Sequence, residues 1–242
     1  MKLRKLIRHF VKIYGRRNNV FLQGFLLRID FLSLAAKDLN TLIRKSKGIF
    51  DSRKFGIALS RIVARIFCII QYFIRLPFLQ NMRNKYGREV CTYCDEVTCI
   101  CDEDHPQFRN VGHFIPGTLT WALKDWQVHL NSVYGKKNKQ DSIEAHLNRL
   151  SDEIDELREI ALEMPNTKLE LYGLERKIST ELADCLARLF AIANYYDIDV
   201  ETHLLNRYGD GCPTCMKEYT DSRRKTCRCG QFEMKLLDWD KI

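Results

Sequence analysis

This chain predicts an all-α fold, and three observations carry that reading. Apolar residues recur at three- and four-residue intervals along most of its 242 residues, with no convincing strand alternation outside two cysteine-rich tails. Helix-starting and helix-stopping residues punctuate those stretches at regular intervals. A string of landmarks also occurs twice in the same order. His9 to Asn18 (HFVKIYGRRN) matches His129 to Asn138 (HLNSVYGKKN), and Ala58 to Phe67 (ALSRIVARIF) matches Glu181 to Phe190 (ELADCLARLF). Asn84-Lys-Tyr-Gly87 then matches Asn206-Arg-Tyr-Gly209, each followed by a cysteine cluster. The register drifts by a few residues between blocks, as it does when loops absorb insertions, so a tandem duplication of a four-helix unit is expected.

The first unit covers residues 1–88, with helices expected near 3–14, 19–46, 51–75 and 77–86. Its greasiest stretch, Ile66 to Ile74, is flanked by Arg65 and Arg75 and is far shorter than the roughly 18 apolar residues of a membrane span, so it reads as a buried helix. A cysteine knuckle follows over 89–105, and Pro106, Gly112, Pro116 and Gly117 mark a linker over 106–117. In the second unit, 118–209, Thr118 or Thr120 can cap a helix to about Val133 that Gly135 ends. Asp141 can cap the next, which runs to about Met164 before Pro165; a third spans about Lys168 to Tyr196. Asp199 opens a short fourth helix to about Tyr208, and a second cysteine tail fills 210–242.

An apolar content of 45% suits a substantial core, and the net charge of +8 conceals an asymmetry. Residues 1–120 carry 21 Lys and Arg against 9 Asp and Glu, whereas residues 121–242 carry 18 against 22. Complementary halves suit docking on each other, and the basic half suits phosphate-bearing ligands. The start, Met1 to Arg17, is basic and amphipathic like a transit peptide, but its pattern recurs inside the chain and so belongs to the fold. A cytoplasmic protein without a membrane partner is expected.

Eight of the ten cysteines form two clusters, Cys91-x-x-Cys94 with Cys99-x-Cys101 and Cys212-x-x-Cys215 with Cys227-x-Cys229. Four soft ligands in two short chelates suit a closed tetrahedral Zn²⁺ shell, so two structural zinc sites are expected; redox disulfides and iron–sulfur clusters are the alternatives. His105 could replace one thiolate. Such knuckles would clamp the end of each fourth helix, while Arg223-Arg224-Lys225 offers a nucleic-acid contact as the competing use. Cys68 and Cys185 sit in apolar helices and read as small buried residues.

The chemistry centres on Glu153-x-x-Glu156 and Glu181-x-x-Asp184, each pair sharing a helix face at i and i+3. The first pair lies in the acidic run Ser151 to Glu159, which alone would read as a solvated face. The second lies in a helix apolar around most of its circumference, so Asp184 must be paired, hydrogen-bonded or metal-bound. A salt bridge to Arg188 at i+4 is the structural alternative. Together, on consecutive antiparallel helices, four carboxylates suit one to three Mg²⁺ or Mn²⁺ ions rather than zinc. In the first unit the aligned residues are Ala35, Asp38, Ala58 and Arg61, which cannot hold such a cluster.

The E-x-x-E helix, the spacer, and Glu181-Leu182-Ala183-Asp184 leading to Ala193-Asn194 and Ile198-Asp199 resemble the MazG-like superfamily of all-α nucleotide pyrophosphohydrolases, over roughly residues 119–208. The resemblance implies a helical unit that dimerises into a bundle, here an intramolecular pseudo-dimer, since the degenerate first unit would take the second subunit's place. It further implies Mg²⁺-dependent cleavage of an NTP or dNTP to the monophosphate and pyrophosphate. Glu153, Glu156, Glu181 and Asp184 would be metal ligands and catalytic groups, Asn194 a substrate or helix-end hydrogen-bonding residue, and a larger homo-oligomer is common among relatives. Lys137 and Asn138, in a basic connection, offer phosphate contacts near the mouth, against a solvated loop as the plainer reading, and basic side chains of the first unit could also reach the phosphates. Two features depart from the pattern: His203 stands where several relatives place a lysine, and the cysteine tails are not part of the common unit. The competing class is a non-catalytic nucleotide sensor, or a nucleic-acid- or protein-binding scaffold with zinc knuckles.

Overall fold

A computed structural model describes residues 1–14, 22–46, 49–72, 77–101, 113–163 and 171–210. The second cysteine tail, with Cys212, Cys215, Cys227 and Cys229, and the linker residues 106–112 lie outside the described residues. Within them the secondary structure is helical: α1 (Leu3–Tyr14), α2 (Leu22–Lys45), α3 (Ser52–Tyr72), α4 (Phe78–Tyr86), α5 (Leu123–Asn138), α6 (Ile143–Leu162), α7 (Leu171–Tyr195) and α8 (Val200–Tyr208). The described residues hold no strand, and two isolated antiparallel bridges join Lys2 to Ala122 and Arg88 to Phe114. No described helix is long and apolar enough to cross a membrane.

Helix ends follow local chemistry, with two departures from expectation. Asp199 caps α8 as read, its carboxylate accepting from the Thr202 amide at 3.0 Å. For α6 the cap is Ser142, which accepts from the Ala145 amide at 3.2 Å, while Asp141 is drawn into an ion pair with Arg149. Thr118 and Thr120 do not open α5. Gly117, at φ 80°, instead turns the chain into a 3-10 turn over Thr118–Thr120. The helix then begins at Leu123, where Asp125 reaches back to the Ala122 amide at 2.7 Å. Nor does Gly135 stop α5, which runs to Asn138; a Cβ there would run into the Asn131 side chain, so the glycine provides room rather than a stop.

Consecutive long helices pair antiparallel. Arg188 of α7 meets Glu153 of α6, Lys177 approaches Glu163 near their connection, and Tyr195 meets His146 at the far end. In α2 and α3, Arg61 pairs with Asp38 and Arg65 lies 5.0 Å from the Phe31 ring centroid. These two hairpins pack through α2 on α6 and α3 on α7, making a central four-helix layer. Helix α1 lies on α3 and α5 lies on α7. The fourth helices are exchanged: α4 packs on α7 and α8 packs on α3. At the second contact Gly56 lets the His203 ring approach the α3 backbone; at the first, the Asn81 amide donates to the Arg176 carbonyl at 3.3 Å.

Each of these pairings has a counterpart when α1–α4 are exchanged for α5–α8. One main apolar core runs through both sets, including Phe25, Leu32, Phe55, Phe67, Trp126, Leu186, Phe190 and Tyr208. At about 1.5–3 kcal/mol for each large side chain removed from water, this shared core opposes separation of the halves. Ile66 to Ile70 of the greasiest stretch lie within it, as expected for a buried helix.

Candidate functional site

Between α4, α5, α6 and α7 lies a pocket of about 660 Å³. Helix periodicity places Glu153 and Glu156 on the face of α6 that looks across at Glu181 and Asp184 of α7, and all four line it. Oxygen atoms of Glu153, Glu181 and Asp184 all lie within 4.8 Å of one another. Glu156 stands outside this triad and hydrogen-bonds with Glu181 instead. Asp184 is buried, as its apolar helix requires.

Its charge is answered by two residues from far away in the chain. Lys85 of α4 donates to Asp184 Oδ2 and the Tyr86 hydroxyl donates to Oδ1. Burial opposes the charge on Lys85, but Asp184 outweighs it and holds the ammonium above its ordinary range. Burial, then the Asp184 charge, pushes the Tyr86 phenol well up, so it remains a donor. Arg188 does not take the i+4 partner that helix spacing suggests; its Nε donates to Glu153 at 2.9 Å across the interface.

The remaining carboxylates are crowded. Burial, the Asp184 charge and the hydrogen bond with Glu156 together lift Glu181 to about 8. Burial and Asp184 raise Glu153 as well, against the pull of Arg188. Within the cluster, Lys85 meets Asp184 and Arg188 meets Glu153, while Glu156 and Glu181 face each other. Oxygen-only donors on rods fixed by a packed core therefore fit a hard divalent ion. It would bind to Glu153, Glu181 and Asp184.

Other expected residues are placed as follows. Lys137 and Asn138 line the pocket, because α5 continues past Gly135. The buried His146 ring fixes this corner through its Nε2 contact with the Asn138 carbonyl at 2.8 Å, and burial lowers its pKa, so the neutral ring carries its proton on Nε2. Asn194 also borders the pocket, yet its amide exchanges hydrogen bonds with Gln127, whose Nε2 donates to Asn194 Oδ1 at 2.9 Å and to the Ile198 carbonyl at 2.7 Å.

Sequence reasoning did not place Lys85 and Tyr86 in the site. Their signal was the repeated Asn84-Lys-Tyr-Gly87 block, which marked them as landmarks without revealing that α4 crosses to α7. Tyr86 is fixed in turn by His129, whose Nε2 donates to the Tyr86 carbonyl at 2.8 Å and whose ring packs edge-on to Trp121 and Trp126.

The first cysteine cluster forms an adjoining wall. Sγ atoms of Cys91, Cys94, Cys99 and Cys101 lie within 4.8 Å of one another, and all are free thiols. Zn–S bonds of about 2.3 Å at tetrahedral angles separate sulfurs by about 3.8 Å; Cys91 and Cys101 stand 3.7 Å apart. The cluster could hold a Zn²⁺-like ion. Cys68 and Cys185 are buried, and burial raises both thiols, which keeps them inert. At the positions aligned with the carboxylates, Ala35 and Ala58 are buried and Arg61 neutralises Asp38. Tested against protein-family models, curated proteins and solved structures, the chain has no significant match.

Proposed function

We propose that this protein is a Mg²⁺-dependent nucleoside triphosphate pyrophosphohydrolase with one active site, built on α6 and α7. The observation that carries the reading is the convergence of Glu153, Glu181 and Asp184 oxygens within 4.8 Å on the wall of a nucleotide-sized pocket. The resemblance of the Glu153 to Asp199 pattern to MazG-like enzymes gives the reaction class. A divalent ion bound there supplies charge neutralisation for the phosphates and for the departing pyrophosphate.

The chain's own groups divide the remaining work. Asp184 is held in one orientation by Lys85 and Tyr86. Glu156, outside the ligand triad, is suited to orient a water molecule and accept its proton as the water oxygen bonds to the α-phosphorus. The α–β bridging oxygen then leaves with pyrophosphate. Arg188 and Lys137 supply positive charge along the pocket, and Asn138 and Asn148 offer amides to sugar or base. Turnover near neutral pH needs Glu181 ionised, a state the bound cation favours.

We read the architecture as a tandem duplication folded into a pseudo-dimer. Exchange-symmetric helix pairings, and an Asp38–Arg61 pair where the other unit has Glu156 and Asp184, are what duplication followed by loss of one site would leave. On this reading the first unit keeps a role by lending Lys85 and Tyr86.

A non-catalytic nucleotide sensor is the second reading, and the Lys85–Asp184 pair favours it, because a fixed ammonium can stand in for part of a cation's charge. Pyrophosphate release from a panel of nucleoside triphosphates with Mg²⁺, wild type beside Asp184→Ala, separates the two. Release in wild type and none in the variant supports the hydrolase. Mg²⁺-dependent binding without release supports the sensor.

A further inference from the structure

The knuckle lies against the acidic pocket as well as at the end of α4. Tyr93, inside the Cys91-x-x-Cys94 chelate, lines the pocket together with Cys99, Cys101, Lys85, Glu153 and Asp184. The turn that presents it is closed by Cys91 N donating to the Glu96 carbonyl at 2.8 Å and Asp95 N to the Cys91 carbonyl at 3.0 Å. Asp95 adopts φ 64°, a conformation held by the chelate loop. One further strut, Cys99 N to the Val133 carbonyl at 2.8 Å, ties the knuckle to α5.

Little apolar burial holds this wall. Its own cluster consists of buried Cys91, Cys99 and Val133, with Tyr93, Cys94, Cys101 and Tyr134 at the margin, and Tyr134 joins it to the main core. Three buried residues cannot offset the entropy of ordering the chain from Cys91 to Cys101, so ligation of the four thiolates must supply the difference. By contrast, the carboxylates stand on α6 and α7, which the main core fixes independently.

We propose that the Cys91–Cys101 knuckle is a zinc-dependent wall of the substrate pocket, with Tyr93 the residue through which zinc governs nucleotide binding at the carboxylate site. The inference rests on the pyrophosphohydrolase or sensor reading for the existence of a nucleotide ligand. Tyr93 offers its ring face to the nucleotide, and the thiolate-bound ion keeps that ring in place; loss of zinc releases the ring while leaving the carboxylates assembled.

The test compares zinc-loaded wild type, zinc-stripped wild type, Tyr93→Ala and Tyr93→Phe. Two ligands are titrated: Mn²⁺ alone, followed by its paramagnetic signal, and a non-hydrolysable α,β-imido nucleoside triphosphate with Mg²⁺. Zinc stripping and Tyr93→Ala are each expected to weaken analogue binding about tenfold or more, the scale of one base–aromatic contact. Mn²⁺ binding and far-ultraviolet helicity should stay unchanged, and Tyr93→Phe should bind within about threefold of wild type, since it keeps the ring. Unchanged analogue affinity after zinc removal, with wild type binding normally, overturns the inference and leaves the knuckle a clamp on α4. Loss of Mn²⁺ binding together with nucleotide binding also overturns it, because the knuckle would then support the fold. Zinc-loaded wild type that binds Mn²⁺ but no nucleotide refutes the parent reading itself.

Discussion

Magnesium binding to this protein should expel a proton, and the amount follows from Glu181. Its carboxyl is held near 8 by burial, by the Asp184 charge and by Glu156, yet a cation ligand must be ionised. The metal-free site therefore carries about 0.9 proton on Glu181 at pH 7, about half at pH 8 and about 0.1 at pH 9. Among its neighbours, Lys85 and Arg188 are raised and stay charged, Tyr86 and Tyr93 are raised and stay neutral, and His146 is lowered and stays neutral, while Glu153 is also raised and adds to any proton released at the lower end of this window. Affinity for Mg²⁺ should thus rise roughly tenfold per pH unit below about 7.5 and level off above about 8.5. Calorimetry of zinc-loaded protein, repeated in buffers of different ionisation enthalpy, counts the protons released directly. Glu181→Gln should bind Mg²⁺ more weakly and with a much flatter pH profile. The sign for stability is the opposite of the usual carboxylate case. A raised folded-state pKa stabilises the metal-free fold at low pH, and that contribution is lost as pH rises through about 8. Proton release near zero at pH 7, or equal affinity at pH 6.5 and 8.5, would refute the claim that Glu181 is a protonated ligand of this site.

Other expectations are simpler to check. Lys85→Met should strengthen Mn²⁺ binding by roughly tenfold, because it removes a positive charge beside Asp184, while weakening nucleotide binding; affinities that fall together would place Lys85 in the fold rather than in phosphate recognition. Asp38→Ala should lower stability by about 3–5 kcal/mol, since it takes the paired carboxylate away from Arg61 in a site where the two side chains are only 2% and 3% exposed. The Asp38→Leu, Arg61→Leu double variant should come within about 1 kcal/mol of wild type in urea unfolding, with nucleotide binding intact. Gly56→Ala should destabilise by about 1–3 kcal/mol, because its Cβ would strike the His203 ring at the α3–α8 crossing; a stabilised variant would show that the ring swings away freely.

Much of the helical order was legible because periodicity and caps are local. Asp199 announced α8, and the apolar surroundings of Asp184 announced a buried charge needing partners. The identity of those partners was not legible, because Lys85 lies 99 residues away and Tyr86 lies 98 away, beyond the reach of any spacing argument. The i+4 spacing offered Arg188 to Asp184 as the structural alternative, but Arg188 meets Glu153 and the Asp184 oxygens are engaged by α4. The cap of α5 is Ala122, four residues past Thr118 and two past Thr120, since a threonine is an adequate cap only where the backbone leaves its turn in an extended conformation, and here Gly117 leads into a 3-10 turn. The thiolate quartet was fully written in its spacing, as Cys91 to Cys101 closes on itself within eleven residues.

Exchange of α4 and α8 also sets a timetable for the nascent chain. Helix α4 finds its principal neighbour only once α7, beginning at Leu171, has been translated, an interval on the order of ten seconds at ordinary elongation speeds. During that wait the greasy side chains Phe78 and Met82, which end up fully covered, have no lasting shelter. The first four helices leave the ribosome as an unfinished object, open to holdase chaperones and to helix-swapped encounters between neighbouring copies on one message. Splitting the gene near residue 105 should accordingly yield two insoluble pieces that recover only when produced side by side.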